Sequence, residues 1–286
     1  MAADRSVVVT GASTGIGWGC VKVLTASGFH VFGSVRRQAD ADRLSKEFGT
    51  SFTPLIFDVT DHAAVAAGAK LVAAALGGAT LFGLVNNAGI AVPGPLLYLK
   101  IDDFSRQLAV NVTGQLAVTQ AFAPLLGADA ARTGAPGRIV MISSVGGKNA
   151  LPFAGPYAAS KFALEGLSEA LRRELMLFGI DVIIVAPGAV KTPIWSKAEQ
   201  FDMSVYQNSP YLPALNKAMA FMMKLGETGL PAERIAEVVF EALTAAKPKV
   251  RYQIAPDQMR HFMTATLPKR AVDRIIAKRL GLLPQG

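Results

Sequence analysis

The stretch SVVVTGASTGIG, residues 6–17, joins a run of valines to a glycine-rich turn and the start of a helical pattern. Short β-branched runs that end at turn residues are typical of strands buried on both faces of a sheet. A strand that passes through a glycine turn directly into a helix is the opening of a βαβ unit. This stretch therefore predicts an α/β fold with parallel strands.

The rest of the chain continues the alternation. Further short apolar runs lie at 30–35, 51–57, 81–86, 137–143, 181–186 and 251–255, and helix-length segments lie at 15–27, 40–48, 61–76, 103–126, 156–178 and 231–245. This order predicts one doubly wound parallel sheet (a Rossmann fold) of about seven strands with helices on both faces. We expect residues 1–286 to form a single domain, with an insertion over the substrate at about 194–229 and a basic segment at about 256–286.

Composition narrows the class of protein. The chain has 286 residues and is 51% hydrophobic, which is enough for a substantial core. Its single cysteine, Cys20, excludes a disulfide framework, and its three scattered histidines predict no metal site. The sequence shows neither a signal-peptide pattern nor an apolar run of membrane-spanning length, so we expect a cytoplasmic protein.

The formal net charge of +8 is concentrated towards the carboxyl end. Residues 247–286 hold nine Lys and Arg against two Asp, so the first 246 residues are nearly neutral. This distribution argues against nucleic acid as a partner. The basic segment has two interpretations, weak peripheral contact with an anionic membrane or a surface helix docked on the domain. Both rest on apolar residues at helical spacing, namely Val272, Ile275, Ile276, Leu280 and Leu283.

The glycine turn predicts a dinucleotide site. In an open parallel sheet, a ligand phosphate lies beyond the first strand on the exposed N–H groups of the next helix, and glycines allow its close approach. The alternative is a bare glycine turn, because such triplets occur by chance. The residues expected around the phosphates are Gly11, Ser13, Thr14, Gly15, Ile16 and Gly17.

The end of the second strand indicates which dinucleotide is preferred. The stretch HVFGSVRRQ, residues 30–38, carries no carboxylate for a ribose hydroxyl and offers Arg36 and Arg37, whose guanidinium groups suit a 2′-phosphate. We therefore predict NADP(H), with NAD(H) as the alternative if both arginines are merely solvated. Asp58 and Val59, which close the third strand, are expected near the adenine, although Asp58 could instead cap the following helix.

A tyrosine and a lysine begin the helix predicted at 156–178. In GPYAASKFALEG, residues 155–166, Tyr157 and Lys161 are four apart and so share one helix face. A phenol ordinarily has a pKa of about 10. A nearby ammonium and a helix N-terminus both lower that pKa. The pair therefore predicts a tyrosine that can give and take a proton.

Taken together, these motifs resemble the short-chain dehydrogenase/reductase family over residues 6–195, nearest its hydroxysteroid and retinol dehydrogenase branch. The resemblance rests on Thr10–Gly17 as T-G-x-x-x-G-x-G, on Asn86–Gly89 as N-N-A-G, and on a serine, Ser144, thirteen residues before Tyr157. It also includes Asn111 in NVTG, and Pro187, Gly188 and Thr192 as P-G-x-x-x-T.

The resemblance implies hydride transfer between a nicotinamide and an alcohol or ketone. By that likeness Tyr157 exchanges the proton, Lys161 holds the nicotinamide ribose and lowers the tyrosine pKa, and Ser144 steadies the alkoxide. Asn111 positions a water in the proton path. The further residues that it places around the cofactor are Asn87, Ala88 and Gly89 at the adenosine, and Pro187, Gly188, Val190 and Thr192 near the carboxamide.

These assignments have alternatives in the sequence itself. Ser144 could simply end its strand, with Ser143 as a second candidate, and Asn111 could cap or kink its helix. Thr192 could cap a helix that begins near Pro193. A different class of function is also open, a cofactor-binding regulatory protein in which catalysis is vestigial.

The substrate side is expected to be apolar. Three stretches with few charges, 91–97, 146–153 and the insertion, lie where loops beyond the strand ends form pockets. They predict a bulky hydrophobic substrate, and the family resemblance implies steroid-like or retinoid-like alcohols and a homodimer or homotetramer through helices 103–126 and 156–178. Filling of a core is the alternative for the apolar residues of the insertion, namely Trp195, Phe201, Met203, Tyr206, Tyr211, Met219, Phe221, Met222 and Met223.

Overall fold

A computed structural model describes residues 5–193, 203–256 and 266–284. The first part of the predicted insertion, including Trp195 and Phe201, lies outside the described residues. So does the part of the basic segment at 257–265.

The described residues form one seven-stranded sheet in which every neighbouring pair is parallel. Its strand order is β3-β2-β1-β4-β5-β6-β7. The predicted doubly wound sheet is therefore confirmed. The strands are β1 (Ser6–Val9), β2 (His30–Val35), β3 (Phe52–Ile56), β4 (Gly83–Asn86), β5 (Arg138–Ile142), β6 (Asp181–Pro187) and β7 (Arg251–Ile254).

Helices cover both faces of this sheet. The α-helices are α1 (Gly15–Ala26), α2 (Gln38–Phe48), α3 (His62–Leu76), α4 (Ile101–Leu108), α5 (Gly114–Phe122), α6 (Gly155–Glu174), α7 (Leu212–Glu227), α8 (Ala232–Thr244) and α9 (Lys269–Leu280). Alternate residues of β1 enter two separate cores, because successive strand side chains point to opposite faces. Val7 and Val9 pack with α1, α2 and α8, whereas Val8 packs with α3, α5 and α6.

The strand order reverses between β1 and β4. From β1 the chain runs outward to β2 and β3, and it then returns to start the other half at β4. Such a reversal opens a crevice at the carboxyl ends of the two central strands, which is where ligands bind in this class of sheet. The glycine turn and the Asn86–Gly89 motif both follow these strands, so the fold places them at the same crevice.

The helix predicted at 103–126 is interrupted. After α4 comes a π-helical turn, Ala109–Thr113, then α5, and finally a short 3₁₀ turn, Ala123–Leu126. π-Turns insert one extra residue into a helix and are frequent at functional sites. Here the turn carries the buried Asn111.

The carboxyl-terminal part docks on the insertion. Helix α9 contacts α7, with Val272 and Leu280 buried. Leu280 joins Phe153, Tyr206 and Leu215 in a third, small apolar cluster. Residues 269–280 therefore form a helix that packs on α7 through one face. Within the described residues, no helix is both long and apolar enough to span a membrane.

Candidate active site

Thr10 joins the loops that follow the two central strands. Its hydroxyl accepts hydrogen bonds from the backbone N–H groups of Asn87, at 2.9 Å, and Ala88, at 3.0 Å. The Asn87 amide in turn donates to the Thr10 carbonyl at 2.8 Å. Because these loops carry the glycine turn and the N-N-A-G motif, the structure brings two predicted halves of the cofactor site together.

Two of the turn glycines are sterically required. A Cβ on Gly17 would lie 2.2 Å from the Gly11 carbonyl oxygen, so no other residue fits while α1 starts this close to the turn. Gly15 has a φ of +59°, in the left-handed region that favours glycine, and its added Cβ would lie 3.0 Å from the Thr192 side chain. The predicted phosphate and carboxamide residues are thus neighbours.

The start of α1 fits a dinucleotide phosphate. The first N–H groups of any helix have no partner within the helix, and they attract anions. At α1 the exposed Thr14 makes no side-chain capping bond, and the first turn contains no acidic residue. Neither a Thr14 cap nor a first-turn carboxylate therefore competes, among the described residues, with a phosphate at this helix start.

The two arginines after β2 differ in availability. The Arg36 guanidinium lies 3.8 Å from the Asp58 carboxylate and is two-thirds exposed. Arg37 instead donates from Nε to Asp40 at 2.8 Å, within α2. Arg36 is therefore the better placed of the two for a 2′-phosphate, because its one ion pair is long and exposed.

Asp58 does not cap the next helix. Its carboxylate accepts from the backbone N–H and the hydroxyl of Thr60, at 2.9 and 2.7 Å, and Asp61 is the residue that caps α3. Burial acts to raise the Asp58 pKa, but the two Thr60 bonds and the charge of Arg36 lower it on balance. The capping alternative was therefore wrong, and Asp58 is an ionised group beside Arg36, followed by the buried Val59.

Arg43 is a residue of this region that the sequence reasoning missed. It reaches from α2 to donate to the Ser13 carbonyl at 2.6 Å. It also lies 3.4 Å from Glu47 and 3.6 Å from Asp40. Nothing in the local spacing marks Arg43, because its partner at the glycine turn is thirty residues away.

Ser144, and not Ser143, is in contact with the tyrosine. A Cβ added to Gly146 would lie 3.3 Å from Ser144 Oγ and 3.5 Å from the Tyr157 ring, so the two side chains face the same point, and the Ser144 oxygen accepts from the Gly146 N–H at 3.0 Å. The Ser143 hydroxyl is buried and has no hydrogen-bond partner among the described residues. The thirteen-residue spacing therefore selected the serine that faces the tyrosine.

Lys161 is buried one helical turn after Tyr157. Its ammonium donates to the Ile142 carbonyl at 2.7 Å, at the end of β5, and lies 5.8 Å from the centre of the Tyr157 ring. Burial lowers the Lys161 pKa to about 8, and the negative charge of Glu165 opposes that shift. The two side chains share a helix face, as predicted.

The Tyr157 pKa differs in direction from the sequence-based expectation. Burial around the hydroxyl raises this pKa, and the polar Ser144 side chain is the opposing contribution. The ammonium of Lys161 is engaged by the Ile142 carbonyl and does not outweigh burial. In this structure the phenol is therefore held protonated, as a proton donor requires.

Asn111 connects the loop after β4 to helix α6. Its side chain accepts from the Ile90 N–H at 2.9 Å, donates to the Ile90 carbonyl at 3.0 Å, and donates to Ser160 Oγ at 3.0 Å. Ser160 then donates to the Tyr157 carbonyl at 2.7 Å. Asn111 is thus adjacent to the tyrosine through one intermediate residue.

Two glutamines extend this connection, and the sequence reasoning missed both. Gln107 accepts from the Val92 N–H at 2.7 Å and donates to the Ile90 carbonyl at 2.8 Å, and Gln115 donates to the Ala88 carbonyl at 2.9 Å. With Asn111 they form an amide ladder on the 88–92 backbone. Their spacing of four residues was the signal that could have found them.

The other predicted cofactor residues line the same edge of the sheet. Pro187 ends β6, the Gly188 N–H donates to the Ile254 carbonyl at 2.7 Å, and Val190 pairs with Leu230. An added Cβ on Gly89 would lie 3.3 Å from Asn111 Oδ1. Ile16 packs on the core beneath α1. Among the described residues, no group of His, Cys, Asp and Glu could hold a metal ion.

The predicted substrate loops line an open apolar pocket of about 170 Å³. It is lined by Pro95, Leu96, Leu97, Pro152, Phe153, Tyr211 and Leu282. Leu96 lies over Gly155, two residues before Tyr157, because a Cβ added there would meet it at 2.8 Å. Phe153 has a φ of 66°, which is strained for a residue with a side chain. All three predicted stretches therefore contribute to one pocket near the start of α6.

Comparisons with known proteins agree with this geometry. A family model described as short chain dehydrogenase matches residues 5–202. The chain is 38% identical to an NADPH-dependent 3-dehydrocapnine reductase of Ornithobacterium rhinotracheale, over 98% of this chain and 99% of the relative. It is 34% identical to retinol dehydrogenase 5 of Mus musculus, over 96% of this chain and 88% of the relative.

Comparison with solved structures also finds a short-chain dehydrogenase. A short-chain dehydrogenase from Streptomyces avermitilis superposes with a TM-score of 0.74 at 26% identity, and the match covers 96% of this chain and 94% of that one. The family model and the relatives therefore agree with the order of the sequence motifs. The solved structure agrees with the parallel sheet whose strand order reverses between β1 and β4. The chain belongs to the short-chain dehydrogenase family and is an oxidoreductase.

Proposed function

We propose that this protein is an NADP(H)-dependent oxidoreductase that interconverts a bulky, hydrophobic ketone and the corresponding secondary alcohol. The observation that carries the proposal is the placement of Ser144 beside Tyr157, with the buried Lys161 on the same face of α6, 5.8 Å from the centre of the tyrosine ring. The pair lies beside the crevice between β1 and β4. A cofactor-binding protein without catalysis would have no need of this arrangement.

The residues of the chain would handle the proton and the substrate oxygen. A bound nicotinamide supplies or accepts the hydride. Tyr157 donates its proton to the carbonyl oxygen in reduction, and Ser144 donates a hydrogen bond to the same oxygen. Because burial raises the Tyr157 pKa, the phenol is protonated near neutral pH, which favours its role as an acid. Lys161 binds ribose hydroxyls, and Asn111 positions a water in the proton path.

The preference for NADP(H) is supported by Arg36. Its guanidinium is exposed beside the end of β2, and a planar guanidinium binds a phosphate with two parallel hydrogen bonds. The relative from Ornithobacterium rhinotracheale carries NADPH dependence in its name, at 38% identity. NAD(H) is the alternative, and it predicts tighter binding of NADH than of NADPH.

A hydrophobic substrate is supported by the pocket. Its lining is almost wholly apolar, and Phe153, Tyr211 and Leu282 bring together three distant parts of the chain. Retinol dehydrogenase 5 is among the relatives. We therefore assign the pocket to steroid-like, retinoid-like or similarly bulky substrates.

The proposal is tested by following NADPH oxidation with a panel of steroid, retinoid, aliphatic and aromatic ketones. Wild-type turnover of at least one apolar ketone is expected. Tyr157→Phe should abolish that turnover while the dissociation constant for NADPH changes little. Tight NADPH binding without turnover of any ketone would favour the regulatory alternative, and retained turnover by Tyr157→Phe would remove the tyrosine from the mechanism.

We further propose weak peripheral contact of α9 with anionic membranes. All five of its cationic residues are exposed, and so is the apolar Ile275. Charge reversal in Arg270→Glu/Arg274→Glu/Lys278→Glu should abolish flotation with vesicles that contain phosphatidylserine. Equal flotation of wild type and variant would exclude the contact.

A homodimer or homotetramer in the cytoplasm completes the proposal. Phe162 on α6, and Met176 and Leu177 just after it, are exposed apolar side chains on a helix that the family resemblance assigns to subunit contacts. Met176→Glu/Leu177→Glu should reduce the mass that light scattering measures in solution. A monomeric wild type would contradict the proposal.

A further inference from the structure

Glu165 and Arg251 form a two-pronged ion pair behind the candidate active site. Arg251 on β7 donates from Nε to Glu165 Oε2 at 3.0 Å and from Nη2 to Oε1 at 3.1 Å. Only 16% of the arginine side chain and 12% of the glutamate side chain are exposed. Eighty-six residues separate the partners, so tertiary structure alone creates the pair.

The glutamate of this pair lies next to elements that carry the residues proposed for catalysis. Glu165 is one helical turn after Lys161, at the spacing that puts side chains on the same helix face. On its other side it packs on the loop that follows Ser144, because a Cβ added to Gly147 would lie 3.0 Å from the Glu165 side chain. Neither Glu165 nor Arg251 takes part in the proposed transfer of the proton and the hydride.

Within residues 5–193, 203–256 and 266–284, Glu165 is the negative charge that acts on Lys161. Helix α6 presents Tyr157 and Glu165, and the end of β5 presents the Ile142 carbonyl. Strand β7 presents Arg251, whose charge is directed at Glu165. Lys148, on the loop after β5, is exposed to solvent.

We infer that Glu165, held in place by Arg251, is a positioning residue that keeps Lys161 protonated in the working pH range. The inference rests on the proposed role of Lys161 in holding the cofactor. An ammonium that donates hydrogen bonds must keep its proton, and burial works against that charge. A fixed carboxylate one turn away compensates for burial, and Arg251 both orients this carboxylate and limits its field.

Removing the charge of Glu165 and removing the charge of Arg251 should therefore shift the Lys161 pKa in opposite directions. Burial lowers the Lys161 pKa to about 8, so protonated Lys161 is lost as the pH rises through that value. Glu165→Gln removes the opposing negative charge and should lower the pKa further. Arg251→Gln leaves the carboxylate without its counter-charge and should raise the Lys161 pKa. A purely structural role would move both variants in the same direction.

The test measures the dissociation constant of NADP⁺ against pH in the full-length protein, by quenching of intrinsic fluorescence. The loss of affinity at alkaline pH should move down by roughly one pH unit in Glu165→Gln, about a tenfold weaker affinity above that step. It should move up in Arg251→Gln and stay in place in Arg251→Lys. Thermal melting of each variant identifies any that is unfolded. The double variant Glu165→Gln/Arg251→Gln buries no unpaired charge, and its step should lie between those of the two single variants.

Lys161→Met separates this inference from the proposed function. If the alkaline step persists in Lys161→Met, the proposed role of Lys161 in cofactor binding is wrong. If the step disappears there but is not lowered in Glu165→Gln, only the role of Glu165 is wrong. A downward shift in both Glu165→Gln and Arg251→Gln would likewise overturn the inference.

Discussion

The cofactor half and the substrate half of the candidate site are built in different ways. The cofactor half consists of short turns directly after strand ends, joined by bonds such as those between Thr10 and Asn87. The substrate half is assembled from loops and helices far apart in sequence, as in the Gly94 N–H that donates to the Phe153 carbonyl at 2.8 Å. A phosphate needs backbone N–H groups in one local geometry, whereas an apolar substrate needs only a space enclosed by side chains.

The two halves also use the left-handed backbone region differently. In the glycine turn, Gly15 adopts a φ of +59° at no steric cost. In the substrate loop, Phe153 adopts a φ of 66°, where a side chain costs roughly 1–2 kcal/mol. The ring of Phe153 packs in the pocket and on Tyr211, so tertiary contacts hold the strained backbone. In the cofactor half, the backbone conformation requires glycine. In the substrate half, contacts between distant segments hold Phe153 in a backbone conformation that residues with a side chain disfavour.

The largest of these expected effects concerns Ser144, the serine that local sequence spacing places beside Tyr157. Ser144→Ala should lower turnover about 100- to 1000-fold, because the hydrogen bond to the substrate oxygen is lost. Ser143→Ala is the matched control, and its turnover should stay within about twofold of wild type, since the Ser143 hydroxyl has no partner among the described residues. Steady-state kinetics with NADPH and an accepted ketone measures both. A larger loss in Ser143→Ala than in Ser144→Ala would mean that the thirteen-residue spacing chose the wrong serine.

A stability measurement tests how strictly the glycine turn is fixed. Gly17→Ala should destabilise the protein by more than about 2 kcal/mol, because its Cβ would meet the Gly11 carbonyl at 2.2 Å. Gly166→Ala on α6 is the control: its added Cβ meets nothing within 4 Å, and alanine should stabilise the helix by about 0.5–1 kcal/mol. Urea denaturation gives both values. A tolerated Gly17→Ala would show that α1 can shift away from the turn.

The preference of the cofactor half for NADPH over NADH is tested at a single residue, Arg36. Arg36→Gln should weaken NADPH binding about 10- to 100-fold and leave NADH binding nearly unchanged, because a charge-assisted bond to the 2′-phosphate is lost. Arg37→Gln should have a smaller effect, since Asp40 already engages Arg37 at 2.8 Å. Fluorescence titration with both cofactors measures the difference. Equal weakening of NADPH and NADH by Arg36→Gln would contradict a 2′-phosphate site.

The last prediction concerns Gln107, which binds the 90–92 backbone between the cofactor half and the substrate half. Gln107→Leu should destabilise the protein by about 1–3 kcal/mol, because the buried Val92 N–H loses its acceptor. Gln38→Leu, at an exposed position on α2, should change stability by less than about 0.5 kcal/mol. Thermal melting compares them. In Gln107→Leu the KM for the ketone should rise more than the KM for NADPH, and the reverse order would place Gln107 in the cofactor half.

The periodic features of the sequence predicted most of the fold and of the cofactor half. The unbroken run of valines in β1 identifies a strand buried on both faces, and Gly11, Gly15 and Gly17 identify the turn after it, because both features depend on neighbouring residues. The break in the helix at 109–113 was not predictable in this way. It depends on the contact of Asn111 with Ile90, which belongs to another segment.

Charge and proton affinity were the least predictable properties. The spacing of Tyr157 and Lys161 correctly places them on one face of α6, but it predicted a lowered tyrosine pKa where burial raises it. Burial is the sum of all surrounding segments, so it cannot be read from two residues on one helix. Arg43 at Ser13 and Arg251 at Glu165 were missed for the same reason.

The sequence by itself determined the order of strands and helices, the crevice at the glycine turn and the identity of the serine, tyrosine and lysine. The strands, the glycine turn and the shared helix face of Tyr157 and Lys161 follow from backbone sterics or side-chain periodicity within a few residues, whereas Ser144 was chosen through the family resemblance. Only the tertiary structure decided which charges surround Lys161, how the amide ladder holds the 88–92 backbone, and which side chains enclose the pocket. Those properties arise from burial and from hydrogen bonds between distant segments, and local spacing carries no information about either.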